Sequence, residues 1–184
     1  MSLIKNRLIV LLYSFISLSI LAIFWIGIFN NYDPGKKFNQ QFTSNFSFEI
    51  DNNKYITNTD LKQKNLLIYF WASWCDNCSE EMRMIEKQWN EYKSMDYIFI
   101  GVNIFDNYTD ASNFVRKNGI TFPISYNGNN DQVVDFGVIG VPETIFISKN
   151  MNITKKIIGP FDEKELIRSL EEIRLGLQNP SYYY

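Results

Sequence analysis

The sequence predicts an α/β fold: a mixed central sheet flanked by helices, with an N-terminal β-hairpin, the whole preceded by one transmembrane helix. Three observations predict it. An uncharged run extends from Leu8 to Phe29. Leu66 to Trp71 and Tyr97 to Asn103 read as buried strands, the first continuously apolar. Apolar residues at helical spacing lie between and after these strands. The resulting order, β-hairpin, β, α, β, α, β, β, α, is that of a mixed sheet covered on both faces.

The first element is the 22-residue run Leu8 to Phe29, and a helix of about 20 residues spans a bilayer. Lys5 and Arg7 precede it and Lys36 and Lys37 follow, so charge alone barely sets orientation; the free amino terminus favours residues 1–7 in the cytoplasm. The alternative is a cleaved signal peptide, but the run is longer than an ordinary signal core and no small-x-small site closes it. Residues 8–29 are therefore expected to be a permanent anchor in contact with the lipid bilayer. Residues 30–41, with the turn signal Asp33-Pro34-Gly35, read as a tether.

Residues 42–178 form the expected domain. Phe46 to Ile50 alternates with period two and Asp51-Asn52-Asn53 is a turn, which makes the first arm of a hairpin. Thr59-Asp60-Leu61 suits a short helical turn. Within Cys75 to Tyr92, Cys78, Met82, Ile85, Trp89 and Tyr92 fall on one helical face. Thr109 to Asn118 reads as a helix stopped by Gly119. Glu143 to Ser148 and Asn152 to Ile158 read as a strand pair. The last helix opens at Asp162, with Glu165 as its capping partner, and Gly176 is a candidate end. Residues 179–184 read as a flexible tail.

Composition excludes several kinds of chemistry. The 184 residues are 46% hydrophobic and 21% charged, which is globular, and a net charge of −2 without a large basic patch argues against nucleic acid. There is no histidine and there are two cysteines, so a Cys–His hydrolase and a four-ligand zinc site are both out of reach. Ser79 follows Cys78, which removes the Cys-x-x-Cys-His haem attachment pattern. No metal and no cofactor are expected beyond a redox-active disulfide.

That disulfide is Cys75–Cys78. Cys75 follows a buried strand and is expected in the first turn of a helix, where N–H groups and the helix dipole stabilise a thiolate. Cys78 lies one turn on, close enough to pair with it. Cys75 is expected to attack a substrate disulfide and Cys78 to resolve the mixed disulfide. The alternative is two cysteines that merely pack, and the strand–helix junction weighs against it.

Phe70-Trp71-Ala72-Ser73-Trp74-Cys75-Asp76-Asn77-Cys78 resembles the active-site signature of thioredoxin-like proteins. Gly137-Val138-Ile139-Gly140-Val141-Pro142-Glu143-Thr144 resembles the second signature of their membrane-anchored TlpA/ResA/CcmG branch. The resemblance spans Phe42 to Ile173 and implies a thioredoxin-like fold, with Asn103 to Phe136 as a central insertion. It implies that Pro142 is a cis-proline facing the cysteines and that the Val141 backbone pairs with substrate, with Trp74 at the same surface. An ordinary trans-proline opening an edge strand is the alternative.

The buried Asp that thioredoxins carry six residues before the first cysteine is replaced by Tyr69. Members like ResA place an acid where Glu81 stands, three residues after Cys78 and on its helix face. Partly buried, Glu81 could take the Cys78 proton during resolution; otherwise it is a solvated helix glutamate. Asp76 puts a negative charge beside the Cys75 thiolate, which favours the disulfide and hence a reducing protein.

The implied function is a membrane-anchored thiol-disulfide oxidoreductase on the extracytoplasmic side of the cytoplasmic membrane. It would reduce disulfides in exported proteins such as apocytochrome c during cytochrome c maturation, drawing electrons from a membrane thiol donor. A general extracytoplasmic oxidase or isomerase, and a non-catalytic thioredoxin-fold binding module, are the competing readings.

Overall fold

The computed structural model describes residues 2–31, 46–51, 54–61, 63–126, 128, 130–176 and 182–183. The chain divides into two compact units, residues 1–37 and 38–184. The tether expected at 30–41 lies almost wholly outside the described residues, as do residues 177–181 and 184.

The first unit is helix α1, Ser2–Asn31. It corrects the transmembrane expectation: among the described residues, no helix is long and apolar enough to cross a membrane. The expectation rested on a 22-residue run that is uncharged and largely apolar, about the length that spans a bilayer. Tyr13, Ser14, Ser17 and Ser19 fall within Leu8 to Phe29. The Ser14 and Ser19 hydroxyls turn back to the helix, donating to the Leu11 and Phe15 carbonyls, both at 2.9 Å. The bilayer contact assigned to residues 8–29 rested on the same expectation and loses that support.

The second unit opens with the hairpin β1, Ser47–Asp51, and β2, Lys54–Thr57, paired antiparallel. A separate six-stranded sheet follows. Its strands are β3 (Asn65–Trp71), β4 (Tyr97–Asn103), β5 (Ile124–Ser125), β6 (Glu143–Ile147), β7 (Ile153–Ile158) and β8 (Tyr182–Tyr183). Their spatial order is β5-β4-β3-β6-β7-β8. β4 runs parallel to β3 and β5, β6 antiparallel to β3 and β7, and β8 parallel to β7. The helices are α2 (Cys78–Tyr92), α3 (Tyr108–Lys117), α4 (Asn130–Asp135) and α5 (Glu163–Arg174).

β3 is apolar from Leu66 to Trp71 because both its faces are covered. Successive residues alternate between two cores, as strand geometry demands. Leu67, Tyr69 and Trp71 join the core that holds Cys75, Cys78, Met82, Ile85 and the α5 residues Leu166 and Leu170. Leu66, Ile68 and Phe70 join the opposite core with Phe46, Phe48 and Phe136. This alternation puts the Tyr69 phenol on the side where α2 packs.

The sequence expectations hold for the hairpin, β3, β4, α3, the β6–β7 pair and α5. Gly119 stops α3 with φ +66°, a conformation open to glycine. The Asp162 side chain caps α5 by accepting from the Glu165 N–H at 2.8 Å. Three elements were not anticipated: the two-residue β5, the short α4 and β8. All three are too brief for a periodicity to show.

Candidate active site

Cys75 and Cys78 are joined by a disulfide with their Cα atoms 5.4 Å apart. Helix α2 begins at Cys78, so Cys75 stands in the turn before it and not in its first turn. The reason is local: the Cys75 N–H bonds to the Ala72 carbonyl and the Cys78 N–H to the Cys75 carbonyl, making two successive turns between strand and helix. The N-cap Asn77 makes no side-chain cap, so N–H groups of the first turn keep their capacity for an anion. Cys75 keeps 8% of its surface exposed and Cys78 none, so an incoming group meets Cys75 first.

The loop carrying Cys75 is fastened to the segment after β4. The Asp106 carboxylate accepts from the Ser73 N–H, from the Ser73 hydroxyl at 2.9 Å and from Asn103 Nδ2 at 3.0 Å. Burial pushes the Asp106 carboxyl up, but these hydrogen bonds outweigh it and hold the group below the ordinary carboxylate range. Trp74 donates its indole N–H to the Phe105 carbonyl at 3.0 Å while remaining 59% exposed. Phe105 is exposed too, on a backbone at φ +55°, a strained conformation for a non-glycine residue. Neither Phe105 nor Asp106 was singled out from the sequence; both sit in a turn without periodicity.

Across the sheet, the Val141–Pro142 peptide bond is cis. Pro142 is buried, and Val141 packs against the core that contains both cysteines. The loop before it is held by Glu143. Its Oε1 accepts from the Ile139 N–H at 3.0 Å, and its Oε2 lies 3.1 Å from Lys156 Nζ. The Lys156 ammonium in turn donates to the carbonyls of Phe136 and Gly137.

Glu81 is 2% exposed and faces the same side of α2 as Cys78. Its Oε2 accepts from the Tyr69 hydroxyl at 2.6 Å and its Oε1 from the Phe161 N–H at 2.8 Å. Burial pushes the Glu81 carboxyl up to about 7, against the two hydrogen bonds that favour the charge. Glu80, its exposed neighbour, lies off this face. The structure thus joins Cys75 to Cys78, buries Glu81 on the same side of α2 as Cys78 and places Val141 against the core of the two cysteines, with Trp74 exposed. Among the described residues, no group of three or more acidic, Cys or His side chains could hold a metal ion.

The arrangement has one reactive bond and one carboxyl able to change its charge near neutrality, which is the equipment of thiol–disulfide exchange. Comparison with known proteins agrees. Residues 34–173 match the family model described as Redoxin. The thiol-disulfide oxidoreductase ResA of Bacillus subtilis is 26% identical over 132 residues, 72% of this chain and 74% of that protein. ResA of Geobacillus thermodenitrificans is 30% identical over 63% of this chain and 67% of its own length. The fold recurs in StoA from Bacillus subtilis (TM-score 0.61, 21% identity, covering 71% of this chain and 99% of that one). It recurs also in a thioredoxin-family thiol:disulfide interchange protein from Chlorobium tepidum (TM-score 0.65, 21% identity, 70% and 92% covered). With the disulfide at the strand–helix junction, these matches place the chain in the Redoxin family, as a thiol-disulfide oxidoreductase like those of the TlpA/ResA/CcmG branch.

Proposed function

We propose that the protein is a reductase of disulfides in exported proteins, working on the extracytoplasmic side, with apocytochrome c as a candidate client during cytochrome c maturation. The observation that carries the reading is the graded burial of the site: a slightly exposed Cys75 in the turn before α2, with an enclosed Cys78 and an enclosed Glu81 on one face of that helix. The Cys75 thiolate attacks a client disulfide, forming a Cys75–client bond and releasing one client thiolate. Cys78 gives its proton to Glu81, and its thiolate attacks the Cys75 sulfur. The second client thiolate leaves, and two electrons have passed from the cysteine pair to the client. A dithiol donor restores the pair by the same exchange in reverse.

Trp74, Val141 and Pro142 form the client-facing surface in this reading. Export rests on the resemblance to the TlpA/ResA/CcmG branch. Reduction is supported by Asp76, an exposed charge beside Cys75 that disfavours its thiolate. The client class rests on the resemblance to the TlpA/ResA/CcmG branch. Equilibration of the full chain in thiol buffers tests the direction: a potential near about −270 mV or below is expected, and one near about −120 mV would make the protein an oxidase.

A further inference from the structure

Tyr69 is the residue the proposed mechanism leaves without a task. It is fully buried, yet it carries a hydroxyl, and its position on β3 is an apolar one by every neighbour. A buried phenol needs a partner. Tyr69 has one, the Glu81 carboxyl at 2.6 Å, twelve residues away in sequence and across the β3–α2 interface. The other Glu81 oxygen is taken by the Phe161 N–H at 2.8 Å, from the segment before α5. The carboxyl is thereby bridged between strand and loop by two neutral donors.

We propose that Tyr69 is a positioning residue, whose phenol holds the Glu81 carboxyl in place and sets the pH at which Glu81 can accept the Cys78 proton. The inference deepens the proposed function and rests on the role given there to Glu81. The groups that face Glu81 are the Tyr69 phenol from β3 and the Phe161 N–H; from α2 itself the exposed Glu80, off this face, adds only the field of a like charge. Among the described ion pairs none involves Glu81, so no cation fixes its charge. Burial favours the protonated carboxyl and acts against the hydrogen bonds. The phenol donates to the charged form and pulls the transition back toward neutrality. Tyr69 itself stays protonated, because burial, and then the Glu81 charge, push its ionisation well above the ordinary value. It is therefore a permanent donor and does not compete for the proton.

The test is the titration of Glu81 in the resting disulfide form, followed by the infrared band of its protonated carboxyl and assigned by its loss in Glu81→Gln. Tyr69→Phe should move the midpoint toward alkali by about one pH unit, the worth of a hydrogen bond to a charged group in a partly compensated site. The rate of mixed-disulfide resolution should show the same displacement, and Tyr69→Phe/Glu81→Gln should match Glu81→Gln alone. Replacing Tyr69 by 3-fluorotyrosine strengthens the donor at nearly constant shape and should move the midpoint toward acid, which serves if Tyr69→Phe fails to fold. Unmoved midpoints in these variants, or a displacement of the resolution profile that survives in the double variant, would overturn the proposal. If the infrared midpoint moves as expected but not even the unaltered protein reduces a protein disulfide, the pairing stands and the reductase reading falls.

Discussion

Glu81 and Glu143 are both buried carboxylates. One lies on α2 three residues past Cys78; the other opens β6 immediately after Pro142. Their partners differ. Glu143 has Lys156 at 3.1 Å and the Ile139 N–H, so its charge is met by a full opposite charge. Glu81 has a phenol and an amide, both neutral. A carboxylate opposite an ammonium is a fastening, and here it ties β7 to the loop that presents Pro142. A carboxyl among neutral donors keeps the choice between charged and uncharged, and that choice falls near neutrality. Burial alone therefore does not make a carboxyl able to titrate near neutrality; the charge of its partner decides.

The comparison breaks most visibly on the Glu143 side. Lys156→Met strands a buried charge and should cost about 3–5 kcal/mol in urea unfolding, far more than an exposed lysine would. For Glu81 the cost depends on pH. The folded chain holds its proton up to about pH 7, whereas an unfolded glutamate releases it near 4.5. Stability from this group is thus fully present below about 4.5 and is lost as pH rises through about 7. Across that interval the loss is about 3 kcal/mol as an order of magnitude, and Glu81→Gln should flatten it in denaturation curves at a series of pH values. The same substitution should slow mixed-disulfide resolution about 10²-fold in stopped flow, the low end for general acid–base catalysis.

Asp106→Ala tests the third carboxylate, which is neither paired with a cation nor free to titrate near neutrality. Loss of its hydrogen bonds to Ser73 and Asn103 should cost about 2 kcal/mol by thermal unfolding and leave the pH profile of resolution unchanged. Glu80→Gln is the smallest case, with stability and rate within about 0.5 kcal/mol of the unaltered protein.

The cysteine pair, β3, β4, α5 and the Pro142 motif were legible because each writes a pattern into neighbouring residues: a spacing, an apolar run, a cap. The partners of those residues were not. Tyr69 stands out in the sequence only as the residue in place of the buried Asp, and packing alone reveals that its phenol meets Glu81. Asp106 lies in a turn and acts on Ser73, thirty-three residues away. The start of α2 was misplaced by three residues because the apolar stripe says where a helix faces and little about where its first N–H group lies.

The two residues of β8 have a consequence out of proportion to their number. β7 would otherwise end the sheet with a row of open N–H and C=O groups, a template on which a second chain could add a strand. Tyr182 and Tyr183 lie parallel along Lys156 and Ile157, so β8 occupies part of that template. The strand they shield is the one that supplies Lys156. Protection against self-association and the fastening of the Pro142 loop therefore meet on one strand, at the side of the sheet away from β5.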